Sequence, residues 1–211
     1  MFNLLDERNF LHIFFNRVGD VIVSNLLFLL CSIPIVTIGP SMTALYHTML
    51  KIAKGDEGRT WRVFFRAFRK NFLQSLIIWL IILAAALITF ADMFYFIQSQ
   101  SLAGRLMFIL SLGVAMLLIL FTIYVFPVVA AFEGKLWDQI HNTFVFLSMR
   151  PAYTLGIAVL TVMPILMTYM DELLLPLSAF YWFFVGFGLI AYINSHFFFK
   201  LFRPFLGDDI Y

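Results

Sequence analysis

Between Lys70 and Asp92 the chain runs through "NFLQSLIIWLIILAAALITFA", 21 residues without a charge, and between Arg105 and Glu133 through a further 27. An α-helix rises about 1.5 Å per residue, so either run can cross a hydrocarbon core roughly 30 Å thick. Hydrocarbon offers no partner to a backbone N–H or C=O. Runs of this kind are therefore helices. The rest of the chain agrees: 63% of the 211 residues are hydrophobic and 12% charged, against roughly half and a quarter in a soluble domain. The expected fold is an all-α, polytopic helical membrane protein forming one domain over residues 1–211.

Four segments are plain, at about 18–36, 72–97, 106–132 and 177–199. A fifth, at 152–170, carries Pro164, which membrane helices tolerate. The difficult piece is "SIPIVTIGPSMTALYHTMLKIA", whose helical part, about 40–53, is short for a full crossing. Charge settles its direction, because cytoplasmic loops are enriched in Lys and Arg. If 40–53 is only a loop, the fourteen basic residues divide three against eleven. If it returns the chain across the bilayer, thirteen fall on one side and only Arg105 on the other. The second arrangement predicts about six segments, five full spans plus a short returning helix, with both termini cytoplasmic. Pro34, Gly39 and Pro40 then form an outer reversal, with Ser41 placed to cap the returning helix. The N-terminus has early acids and no small-residue cleavage site, and is expected to be retained.

Two connecting segments read as amphipathic cytoplasmic helices, at about 59–71 and 135–149. In the first, Arg59, Arg62, Arg66, Arg69 and Lys70 share one arc, and Trp61, Phe64, Phe65, Phe68 and Phe72 the opposite one. That pattern predicts a helix in the headgroup plane, attracted to anionic lipid. Because the aromatics lie opposite the basic residues, they offer no stacking platform for nucleic acid. "KGDEG", residues 54–58, reads as a turn.

The phrase "SIPIVTIGPSMTALYHTMLKIAKGDEG" with "FFRAFRKNF", and later "YVFPVVAAF" with "HNTFVFLSMRP", resembles the YesL-like family of small bacterial integral membrane proteins. The resemblance covers most of the chain. It implies a multi-pass protein of the bacterial cell membrane, of a family described as a domain of unknown function. Its members are often encoded near carbohydrate-uptake genes. It supplies no catalytic residues.

Polar side chains inside apolar runs are the default place to look for chemistry. Here they are Asn25, Thr37, His47 and Asp92, with Asn194 and His196 near the inner end of the last segment. Asn25 is expected to hydrogen-bond between helices and His47 to be a packed or interfacial group. The four histidines are scattered, no His-Glu-x-x-His pair occurs, and the single Cys31 sits in an apolar run. No metal, cofactor or catalytic residue is therefore expected. Gly186 and Gly188 are expected to permit close helix packing.

These readings favour a non-enzymatic membrane protein, an accessory or regulatory partner of a carbohydrate-uptake system. Its partners would be the lipid bilayer, anionic headgroups at the cytoplasmic face and transporter subunits. The alternative is a small transporter or substrate-binding component working with a separate ATPase. A third reading, a lipid-acting enzyme, requires His47, Asp92 and Tyr95 to meet.

Overall fold

The computed structural model describes residues 4–55, 58–170 and 175–205, and every regular element among them is helical. The order is α1 (Leu4–Cys31), a 3-10 turn (Ile35–Thr37), α2 (Ile38–Lys54), α3 (Thr60–Phe96), α4 (Leu102–Ala131), α5 (Leu136–Met149) and α6 (Pro151–Met170). Then follow α7 (Leu175–Tyr181), a π-turn (Trp182–Gly186), α8 (Phe187–Phe202) and a last 3-10 turn (Arg203–Phe205). Four helical stretches are long and apolar enough to cross a membrane: Thr60–Phe96, Leu102–Ala131, Pro151–Thr168 and Pro176–Phe205. Asp56 and Glu57 of the expected turn, and Asp171 and Glu172, lie outside the described residues.

Local chemistry sets the boundaries. Gly55 ends α2 in the left-handed region at φ 93°, where a side chain would be strained, and its N–H closes onto Lys51 and Ile52. Ser101 accepts the Gly104 N–H at 3.1 Å and caps α4. Arg150 is non-helical before Pro151, which opens α6 where its missing N–H costs nothing. Inside the helices, hydroxyls fold back onto the carbonyl four residues earlier: Thr48 to Ala44, Thr89 to Ala85, Thr122 to Leu118 and Thr161 to Ile157. That satisfies them without a partner helix, as an apolar solvent demands.

The central helix is α2. Ala44, Leu45 and Met49 have no exposure, and the helix touches α1, α3, α4 and α8. Around it lies an aromatic core of Tyr46, Phe64, Tyr124, Phe126, Phe198 and Phe202. Tyr46 and Tyr124 both meet Phe198 edge-on, a preferred arrangement of aromatic rings.

The register of α2 on α3 is antiparallel and well fixed. Thr43 and Ser75 share a buried hydroxyl bond of 2.8 Å. The Trp79 indole N–H donates to the Ile35 carbonyl at 2.8 Å. Gly39 lies so close that a Cβ there would stand 2.5 Å from the Trp79 Cβ. The α1–α2 reversal is therefore level with Trp79. From Trp79, α3 runs on for 17 residues to Phe96, about 25 Å further. α4 returns beside it, its Phe126 ring 6.2 Å from Trp79. Beyond Trp79 these two helices form a projecting hairpin whose side chains, such as Leu87, Phe90, Leu110 and Leu117, are more than half exposed.

Three expectations change. The segment 59–71 is not a separate helix in the headgroup plane. It is the start of the 37-residue α3, and its aromatic face turns inward, with Phe64 fully buried and Phe65 and Phe68 packed on the core. The reason is continuity: a helix running straight on into a span presents that face to α2. Gly39 and Pro40 lie in the first turn of α2, so the reversal itself occupies Ser32–Thr37. Ser41 does not cap α2, because the helix starts earlier; its hydroxyl donates to Thr37 O at 2.8 Å.

Candidate functional site

The densest polar contact in the apolar interior centres on Asn25. A π-turn widens the helix over Trp182–Gly186 and leaves backbone groups without their usual partners. From α1, the Asn25 side-chain N–H groups donate to Trp182 O at 3.2 Å and Phe183 O at 2.7 Å. Its oxygen accepts the Gly188 N–H at 2.9 Å. Two carbonyls on one side and one N–H on the other fix the amide's orientation. Gly188 is small for a reason: a Cβ there would stand 2.8 Å from Val21 O. Gly186 is similarly close to Trp182. Asn25 thus joins α1 to the last span, and its amide is used up by protein.

His47 performs a related task at the C-terminus of α4. Its Nδ1 lies 2.8 Å from Ala130 O, and because a carbonyl only accepts, Nδ1 carries the proton. Nearby, the Gln139 amide donates to Phe132 O at 2.8 Å and Gln74 to Gly134 O at 3.1 Å. Lys70 is ion-paired with Glu133. Helix ends leave carbonyls without intrahelical partners, and here α2, α3 and α5 supply them. The carboxylate of the exposed Glu133 is held below its usual range by the hydrogen bond and charge of Lys70.

Thr37 closes the reversal. Its hydroxyl lies 2.7 Å from both Cys31 O and Pro34 O, tying the end of α1 to the start of α2. Pro34 precedes the 3-10 turn in an extended conformation, at ψ 120°. The tip is apolar and outward-facing, with Ile33 74% and Ile35 64% exposed.

The basic residues expected on one arc of α3 separate in the structure. Lys70 goes to Glu133, while Arg59, Arg62 and Arg66 turn to a groove of about 390 Å³ between α2 and α3, lined also by Thr48, Lys51 and Thr60. Arg69 is exposed and does not line it. At the groove's edge the Thr60 hydroxyl donates to Asp20, and Arg62 stacks on Trp61 at 5.1 Å. One helix projection could not have shown this site, because Lys51 and Thr48 belong to the preceding helix.

His47, Asp92 and Tyr95 do not assemble. Thr43 is level with Ser75, so His47 is level with the residues just before Ser75. Asp92 then lies about 30 Å further along α3. Among the described residues no three His, Cys, Asp or Glu side chains gather as a metal site. A buried polar layer that sequence reading left unassembled joins the last span to its neighbours. The Asn194 amide donates to Thr161 at 2.8 Å, beside Tyr46. Asn194 Oδ1, Ser195 Oγ and Ser24 Oγ are buried without a hydrogen-bond partner.

Residues 21–93 match the family model described as "Protein of unknown function, DUF624". The chain is 31% identical over 134 residues to "Uncharacterized protein YesL" of Bacillus subtilis (strain 168). That match spans 63% of this chain and 63% of the relative. No solved structure matches. The matched residues include Asn25, the reversal, all of α2 and the lining of the basic groove, but not the Trp182–Gly188 partners of Asn25.

Proposed function

We propose that this chain, similar to the uncharacterized YesL and matching the DUF624 model over residues 21–93, is a non-enzymatic, membrane-embedded partner of a transport system, with carbohydrate uptake the system its resemblance suggests. It sits in the bacterial cell membrane with both termini cytoplasmic. Four spans cross, and α1 and α2 form a re-entrant hairpin that enters from the cytoplasmic side and turns back at mid-depth. This keeps the charge bookkeeping, because a hairpin that turns back and a pair that crosses return the chain to the same side. It also suits the exposed apolar tip at Ile33 and Ile35, which belongs in hydrocarbon rather than water.

The observation that carries the functional reading is the projecting half of α3 and α4. Past the level of Trp79 these two apolar helices carry side chains more than half exposed, such as Leu87, Phe90, Leu110 and Leu117, and those faces are open to lipid or to the helices of another membrane protein. The interior beneath them is filled by aromatic rings. A photo-crosslinking residue at Leu87 or Leu110, in the native membrane, tests this. The expected product is an adduct with a transport subunit, absent when the probe stands at Trp137 on α5. Adducts with lipid alone from both sites would overturn the reading.

Transport in its own right draws on a different observation, the unpaired polar atoms of Ser24, Asn194 and Ser195 inside the bundle. Buried polar atoms in hydrocarbon are costly unless something meets them. A rise in unfolding temperature with one member of a panel of sugars and vitamins, lost in Asn194→Leu, would favour it; a flat panel counts against it.

A further inference from the structure

We propose that the groove between the last turn of α2 and the first two turns of α3 is a binding site for a phosphate group. It rests on the reading above, in which the α1–α2 hairpin enters from the cytoplasmic side, so that the α2–α3 connection lies on that side.

Three guanidinium groups, Arg59, Arg62 and Arg66, line one groove of about 390 Å³. None of the three forms a salt bridge among the described residues. Arg62 and Arg66 are one helical turn apart, where like charges repel. Arg59 is the N-cap of α3, and the first turn of that helix contains no acidic residue. A helix N-terminus favours anions and disfavours cations. Positive side chains thus stand where the backbone is already positive, and among the described residues no acid pairs with them; a bound anion relieves both. Asp20, at the groove's edge, accepts the Thr60 hydroxyl and makes no salt bridge to these arginines. Lys51 lines the same groove and has an interaction of its own, so the anion falls to the arginines. Their planar, forked donors match phosphate oxygens. Ile52, Gly58 and Val63 complete the lining, and the Thr48 and Thr60 hydroxyls already donate to Ala44 O and Asp20, so the arginines are the donors left for an anion.

The groove's position admits two sources of that phosphate. If Lys70 marks the edge of the hydrocarbon, Arg66 stands about 6 Å outside it and Arg59 about 16 Å outside. A phospholipid headgroup lies within reach of Arg66, and a soluble phosphate within reach of Arg59 and Arg62.

The test uses the full-length chain in nanodiscs of phosphatidylcholine, with or without phosphatidylglycerol, and separately with inorganic phosphate against chloride at matched ionic strength. The thermal midpoint is read for the wild type, for R62Q/R66Q and for R105Q, whose charge lies at the opposite end of the molecule. All three substituted arginines are exposed, so the variants keep the fold. A rise with phosphatidylglycerol that R62Q/R66Q loses and R105Q keeps identifies a lipid phosphate. The same pattern with inorganic phosphate identifies a soluble one. In either case affinity falls about fivefold for each arginine removed. No rise in either arm, or a rise that R62Q/R66Q retains, overturns the site. Crosslinking at Leu87 and Leu110 reads the transport-partner proposal independently, so the two can fail separately.

Discussion

The Asn25 side-chain oxygen accepts the backbone N–H of Gly188 at 2.9 Å, 163 residues away in the chain. One amide thereby holds the last span against α1 and satisfies two carbonyls of a π-turn. Asn25→Leu removes these bonds and leaves Trp182 O, Phe183 O and the Gly188 N–H unmet in an apolar interior. Each unmet group costs about 1–3 kcal/mol. The expected outcome is a loss of about 2 kcal/mol or more, read as a lower unfolding midpoint in detergent. Asn25→Leu melting with the wild type would show the clamp to be idle.

Gly39 and Gly113 make a matched pair. A methyl group at Gly39 meets Trp79 Cβ at 2.5 Å and Ser75 O at 2.7 Å, whereas nothing lies within 4 Å of one at Gly113. Gly39→Ala must push α2 off α3, and overpacking of this kind costs about 1–3 kcal/mol. Gly113→Ala is expected to be neutral or slightly stabilising, since alanine is the better helix former. Equal midpoints for the two variants would mean that the close approach of α2 to Trp79 is not present in the protein.

Much of this was legible in the chain, and the limits are physical. Uncharged runs and basic-residue counts report which side of the membrane a loop occupies. They report parity, and a hairpin turning at mid-depth has the same parity as a pair of full crossings, so "SIPIVTIGP" could not reveal its depth. The helix expected at about 135–149 closely matches α5 (Leu136–Met149), because the spacing of Leu136, Ile140, Phe144 and Leu147 is a local signal. The clamp is invisible locally: an Asn among leucines is common, and the π-turn it supports exists only where a distant side chain meets its carbonyls. The groove hides for the same reason. Arg59, Arg62 and Arg66 form an arc on one helix, but Lys70 shares that arc and its partner Glu133 lies on another connection.

The Lys70–Glu133 pair predicts a pH and salt dependence of definite sign. Pairing lowers the Glu133 pKa in the folded protein. The contribution to stability is therefore present above the ordinary glutamate range and fades as pH falls through the lowered value. Both groups are exposed, so the effect is small and screened by salt. Glu133→Gln should melt slightly below the wild type at neutral pH in low salt and together with it in acid or in high salt. A gap that widens in acid would reverse the assigned sign.

The depth of the reversal gives the sharpest test of topology. Trp79 is nine residues beyond Lys70 on one continuous helix, about 14 Å along its axis, and the Ile35 carbonyl is bound to its indole. If Lys70 lies at the inner edge of the hydrocarbon, the tip sits near the middle of a core roughly 30 Å thick. Full crossings would require α1 and α2 to reach about the level of Phe90, roughly 16 Å higher, and α2 has only 17 residues, all of them alongside the first part of α3. With Cys31 replaced by serine, single cysteines at Ile33, Gln98 and the exposed Trp137 separate the arrangements. Gln98 should react with an impermeant thiol reagent only from outside and Trp137 only from inside, while Ile33 should react from neither. A nitroxide at Val36 should report a depth near the bilayer centre. Labelling of Ile33 from outside would restore the reversal to the outer face, and with it five full spans plus a short returning helix.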